Sequence, residues 1–146
     1  MRKQVVRVVI LLSFFTLLCA AAHAQSAYTP MRAHIPFSFS IGRETMPAGD
    51  YHISFVNTES NPHILAIKSP DGRIARFMQM STVEGKARER GRLIFNRYDS
   101  QYFLSQVWKP AERTGLVMRR SRAEREVELA GGGHTTRATV SVASGK

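Results

Sequence analysis

Cysteine is almost absent: Cys19 is the only one among 146 residues, which excludes an internal disulfide and a scaffold stapled by bridges. Metal-binding patterns are missing too. The histidines outside the N-terminal segment stand at 34, 52, 63 and 134, with no pair at the i, i+4 spacing of a helical zinc site. His52 and His63 fall near strand ends where a hairpin would bring them together, but no third ligand is in view, so no metal or other cofactor is expected. Nucleophile elbows, phosphate loops and Cys/His clusters are also lacking. Asp50 and Asp71 sit in turn-like contexts, where aspartate serves the backbone. Nothing in this inventory points to catalysis, and no catalytic residue is nominated.

Long apolar runs are scarce as well. The longest, Val8 to Ala22, has 15 residues, short of the roughly 20 that a membrane-spanning helix needs. Its flanks give it another meaning. Arg2, Lys3 and Arg7 precede it, and Ala22-His23-Ala24 follows with small residues where a signal peptidase reads. Residues 1–24 therefore read as a signal peptide cleaved between Ala24 and Gln25. Leu18, ahead of Cys19, is too large for a lipoprotein signal. The expectation is export to the periplasm or extracellular space, with no transmembrane segment in the mature chain. Residues 25–32 read as a flexible N-terminal segment and 33–130 as one β-rich domain. Residues 131–146 read as a disordered tail, because Gly131 to Gly133 lead into small and polar residues whose valines offer little surface to offset ordering.

Basic residues dominate the charge. The chain carries +10, and with the three basic residues of the signal removed, 18 basic against 11 acidic residues leave +7. The excess is concentrated in Lys86, Arg88, Arg90, Arg92 and Arg97, then in Arg113, Arg119, Arg120, Arg122 and Arg125. Such clusters attract anionic surfaces through their long-range potential. An exported protein without a recognition motif is not expected to bind nucleic acid. Anionic polysaccharide and lipid headgroups are the partners that fit. The competing reading is a solvated face on which Glu84, Glu89, Glu112 and Glu124 pair with the arginines.

The domain itself alternates. Ile35, Phe37, Phe39 and Ile41 share one face of a seven-residue run, the period of a half-buried strand. Pro36 places that strand at an edge or at its own start. Tyr51, Ile53 and Phe55 repeat the pattern after a corner carrying Pro47 and Gly49. Ile64 to Ile67 and Arg73 to Met80 flank "KSPDGR", whose Pro-Asp-Gly is turn chemistry. "VEGKARERGR", 83 to 92, reads as a long polar hairpin loop. Leu93 to Tyr98 and Gln101 to Trp108 form a further hairpin, with Tyr102, Leu104, Gln106 and Trp108 expected on one face. The period then changes: Ser121 with Glu124 is a capping box, and a helix of about nine residues should dock through Val127 and Leu129 or remain marginal, leave its glutamates solvated and stop at Gly131. The fold expected is all-β, an antiparallel sandwich or flattened barrel of about seven or eight strands with one short C-terminal helix.

Aromatic and basic residues meet in Phe95, Arg97, Tyr98, Tyr102, Phe103 and Trp108. Arg97, Tyr98, Tyr102 and Trp108 form the candidate binding face, since arginine beside aromatic rings suits sugar stacking and cation–π contacts. A plain sheet core would use the same residue types.

Two stretches, "IPFSFSIGRETMPAGDYHI" from Ile35 and "LIFNRYDSQYFLSQVW" from Leu93, resemble a family of small exported proteins of unknown function from acidobacterial genomes. Ile35 to Gly42, Met46 to Tyr51, Phe95 to Leu104 with Trp108, and the charged segment Arg119 to Glu128 carry the likeness. The resemblance implies export and a β-rich fold over residues 33–130, and no activity. The expectation that follows is a non-catalytic exported protein that binds or supports anionic envelope components. A small β-scaffold enzyme and a subunit of a larger envelope assembly are the alternatives.

Overall fold

Pro36 has no backbone N–H to give to a ladder, and it marks the point where the first alternating run changes partners. The computed structural model describes residues 30–58, 61–131 and 134–144; the signal peptide expected over residues 1–24, with its cleavage point, lies outside them. Within the run, β1 (Met31–Ile35) and β2 (Phe39–Ile41) are separate strands. The alternation survives the break, with Ile35, Phe39 and Ile41 all buried. The expected single strand is thus two short ones joined through Pro36 to Ser38. Met31 and Arg32 belong to β1 rather than to a flexible leader, because Met31 packs into the core and pairs with Ile53.

The remaining strands are β3 (Glu44–Met46), β4 (Gly49–Thr58), β5 (Asn61–Lys68), β6 (Ala75–Gln79), β7 (Ser81–Glu84), β8 (Gly91–Tyr98), β9 (Gln101–Trp108), β10 (Thr114–Val117) and β11 (Thr136–Ser144). Helix α1 (Arg122–Ala130) lies between the last two. The fold is all-β apart from this helix, as expected. Its eleven described strands exceed the expected seven or eight, and β2 runs parallel to β9 through Ser40 and Phe103. The strand order is β3-β2-β9-β8-β11-β1-β4-β5-β6, with β10 joining the free part of the β9 edge and β7 joining β10. No helix among the described residues is long and apolar enough to cross a membrane.

The sheet curls until its two outer strands meet through side chains. Arg76 on β6 pairs with Glu44 on β3. Gly42, in the two-residue turn between β2 and β3, lies so close to β6 that a Cβ there would fall 2.8 Å from Met78 Cε. Its φ of +63° also requires glycine at this hairpin position. The inside of the curl is the core: Ile35, Phe39, Met46, Ile53, Leu65, Leu93, Phe95 and Leu104 are fully or nearly fully buried. The corner at Pro47 is tied down by the Tyr51 hydroxyl, which donates to the Pro47 carbonyl at 2.7 Å. The β5–β6 turn forms as read: Gly72 takes φ +71°, and hydrogen bonds from the Ser69 hydroxyl and the Arg73 N–H hold the Asp71 carboxyl below its ordinary range.

Three expectations give way. Part of the supposed disordered tail is β11, which enters the sheet between β8 and β1 and matches Thr136–Val142 to Arg97–Gly91. Its few apolar groups suffice because its backbone pairs with β8 over Thr136–Val142 and with β1 at Ala143 and Ser144, and Val142 is buried at 3 % exposure. The polar stretch after β7 is not a hairpin loop: β7 pairs with β10 and β8 with β9 and β11. Finally, α1 docks by a polar contact. Leu129 is 81 % exposed, whereas Glu124 is 4 % exposed and accepts hydrogen bonds from Asn96 Nδ2 at 2.7 Å and the Tyr98 hydroxyl at 3.3 Å. Ser121 caps the helix by accepting from the Glu124 N–H, and the Gly131 N–H closes it on the Val127 carbonyl.

Candidate functional site

A bulge decides where the aromatic residues of β9 point. Phe95 pairs with Leu104 but Ile94 with Gln106, so Ser105 is an extra residue. Side chains alternate along a strand, and one inserted residue reverses the faces beyond it. Tyr102, Leu104 and Val107 consequently join the core cluster, and Trp108 falls on the other face. The expectation that Tyr102 and Trp108 share a face is overturned by this one residue.

The four candidate residues separate accordingly. Tyr102 is half-buried and stacks on Phe37, ring centroids 3.9 Å apart. Arg97, its cross-strand partner, lies 5.6 Å from the Tyr102 ring centre and donates from Nε to the Asp99 carbonyl at 2.8 Å. Tyr98 is buried against Phe103 and Glu124. Trp108 is 5 % exposed. Only Arg97 and Tyr102 remain together, so the candidate binding face does not assemble. The aromatic residues are mainly core.

Trp108 instead anchors a basic loop. Its indole N–H donates to Gln106 Oε1 at 2.9 Å, and its ring spreads over two glycines of neighbouring segments. A Cβ at Gly115 on β10 would come within 2.6 Å of the ring, and one at Gly85, just after β7, within 2.4 Å. Across the ladder, Arg92 pairs with Trp108 and holds its guanidinium carbon 4.9 Å from the ring centre. Arg92 Nε is buried without a hydrogen-bond partner among the described residues. Burial, together with the nearby charge of Arg88, pushes the Arg92 guanidinium below its ordinary value.

Residues 85–90 are held at both ends against the segment before β10. The Gly85 N–H donates to the Arg113 carbonyl at 2.8 Å, and the Ala111 N–H, with Ala111 at φ +59°, donates to the Arg88 carbonyl at 2.7 Å. Lys86, Arg88, Arg90 and Arg113 are all exposed. None of the four forms an ion pair among the described residues; the pairs found are His34–Asp50, Arg73–Asp71, Arg76–Glu44, Lys109–Glu112, Arg120–Glu128 and Arg122–Glu126. Interleaved Glu84 and Glu89 neutralise none of them, and Glu124 turns inward. Charge compensation by Arg–Glu pairing therefore holds on α1 and fails on this loop. The cations are legible in the sequence but their platform is not, because the glycines that seat Trp108 look like ordinary loop punctuation.

His52 and His63 do not meet. His52 pairs with Lys68, while His63 lies beyond the Val56–Ile64 pair at the far end of the β4–β5 ladder. His34 Nδ1 contacts Asp50 Oδ1 at 2.8 Å on the exposed side of β1 and β4. Among the described residues no group of three or more His, Cys, Asp or Glu is placed to hold a metal ion. No family model, curated protein or solved structure matches this chain.

Proposed function

We propose that this chain is an exported, non-catalytic protein that binds polyanionic components of the cell envelope through the loop 85–92 and Arg113. The observation that carries this reading is the set of exposed cations, forming no ion pair among the described residues, on a backbone held by hydrogen bonds to the 111–113 segment. With the backbone already ordered, binding costs side-chain freedom alone, so more of the electrostatic attraction is realised as affinity. The crowding of Arg88 and Arg92 adds like-charge repulsion that a bound anion relieves. Export rests on the N-terminal segment and on the resemblance described above.

Retention on a sulfated polysaccharide column and on anionic vesicles, compared with neutral supports, tests the reading. Retention that vanishes when Lys86, Arg88, Arg90 and Arg113 are replaced by Gln is the expected result. Retention unchanged by those substitutions contradicts it.

A further inference from the structure

Strands β4, β5, β7, β9 and β10 and the segment after β9 converge on a recess that adjoins the Arg113 segment through Glu112 and Thr114 and is also lined by Thr82. Phe55 of β4, His63 of β5, Val107 of β9, Lys109 just beyond it and Leu116 of β10 line a cavity of about 200 Å³. The bulge at Ser105 turns Val107 inward, where it pairs with Leu116 across the ladder. Phe55 and Val107 belong to the core cluster and Leu116 packs against it, so the floor is apolar and built into the fold. The rim is polar. Lys109 Nζ stands 4.6 Å from the centre of the Phe55 ring and 3.3 Å from Glu112 Oε1. The main chain at His63 is held by its carbonyl, which accepts from the Met80 N–H at 2.8 Å.

From this geometry we infer that the recess binds a short-chain carboxylate, with its apolar chain on Phe55, Val107 and Leu116 and its carboxylate on Lys109 and His63. The ammonium of Lys109 supplies three donors, and the imidazole of His63 has an N–H donor in either protonation state. Glu112 competes with the ligand for Lys109 and disfavours negative charge, a second one most of all. Size sets the chain length: at about 30 Å³ per water-sized group, the recess holds a ligand of roughly six to eight non-hydrogen atoms. Apolar groups beside a few convergent polar ones are the makings of a small-molecule site, here smaller and more polar than the usual pocket of about 300–1,000 Å³. The ligand class separates this site from the polyanion platform, which needs many charges and no apolar pocket.

NMR titration of the full mature chain with hexanoate, hexylamine and leucine tests the inference. Hexanoate should give saturable shifts at Phe55, Val107 and Leu116. Hexylamine, which puts a cation beside Lys109, should give none. Leucine distinguishes the two carboxylate sources: tighter binding than hexanoate means an amino acid whose ammonium meets Glu112, and weaker binding means a simple acid. Lys109→Met should weaken hexanoate at least tenfold, whereas Glu112→Gln, which frees Lys109, should bind it at least as tightly. Replacing Lys86 and Arg88 by Gln should leave the titration unchanged. The absence of saturable hexanoate shifts, equal response to hexylamine, or undiminished binding by Lys109→Met with native Trp108 fluorescence overturns the assignment.

Discussion

The guanidinium carbon of Arg92 lies 4.9 Å from the centre of the Trp108 ring, joined to it as a direct cross-strand pair. This contact ties β8, β9 and the basic loop into one unit, because the same ring fills the space above Gly85 and Gly115. Removing the guanidinium in Arg92→Ala should cost about 1–2 kcal/mol, the range for a partly desolvated cation–π pair with its packing stem. Trp108 is the only tryptophan, so its emission reports the change directly: a red shift is expected as the ring gains water.

Gly115→Ala should be more damaging than a helix-surface Ala substitution. The added methyl would stand 2.6 Å from the indole, and overpacking of this kind costs typically about 1–3 kcal/mol. Urea unfolding followed by Trp108 fluorescence gives the value. Gly85→Ala should behave alike and also disturb the loop 85–90.

Glu124 fixes α1 to the sheet. Glu124→Ala leaves Asn96 Nδ2 buried without its acceptor and should destabilise the fold by about 1–3 kcal/mol. Glu124→Gln retains an oxygen for Asn96 and should recover part of the loss. Hydrogen exchange across 122–130 should accelerate more in the alanine variant than anywhere else in the domain.

Alkaline pH weakens the same region. Burial raises the Tyr98 phenol above its ordinary value of 10.0, and Tyr51 is raised for the same reason. The folded state keeps these protons where the unfolded chain has lost them. The stabilisation is therefore complete below about pH 10 and declines as pH climbs through the folded-state values. Denaturant midpoints measured on either side of pH 10 should show this fall, and Tyr98→Phe should flatten it.

What the sequence disclosed follows from what local pattern can encode. Period-two alternation located Ile35 to Ile41, Tyr51 to Phe55 and Leu93 to Tyr98, and Pro-Asp-Gly located the β5–β6 turn. The capping box at Ser121 and Glu124 located α1, since each signal acts within a few residues. The bulge at Ser105 has no such signal: serine is unremarkable there, and the inserted residue is recognisable only from what stands opposite on β8. Plain alternation without the bulge puts Tyr102 and Trp108 on one face. The inward turn of Glu124 was equally hidden, because its partners Asn96 and Tyr98 are distant in the chain. The same distance conceals β11, whose stability comes from its neighbours.

That dependence gives a further test. Val142→Ala should cost about 1–3 kcal/mol for the lost methyl groups and the space they leave. Ending the chain at Gly131 should be far worse, since it exposes the facing edges of β8 and β1 to other chains. Size-exclusion chromatography should show aggregated or unfolded material for the truncated form.

Vesicle sedimentation across a salt series tests the central claim most directly. The chain lacking residues 1–24 is mixed with anionic or zwitterionic vesicles at about 10 mM and about 150 mM salt, between which the screening length contracts from roughly 30 Å to 8 Å. The account predicts binding to anionic vesicles alone, weaker at the higher salt, and at least tenfold weaker at both when Lys86, Arg88, Arg90 and Arg113 are replaced by Gln. No anionic-vesicle binding at the lower salt, or equal binding by the substituted chain, contradicts it.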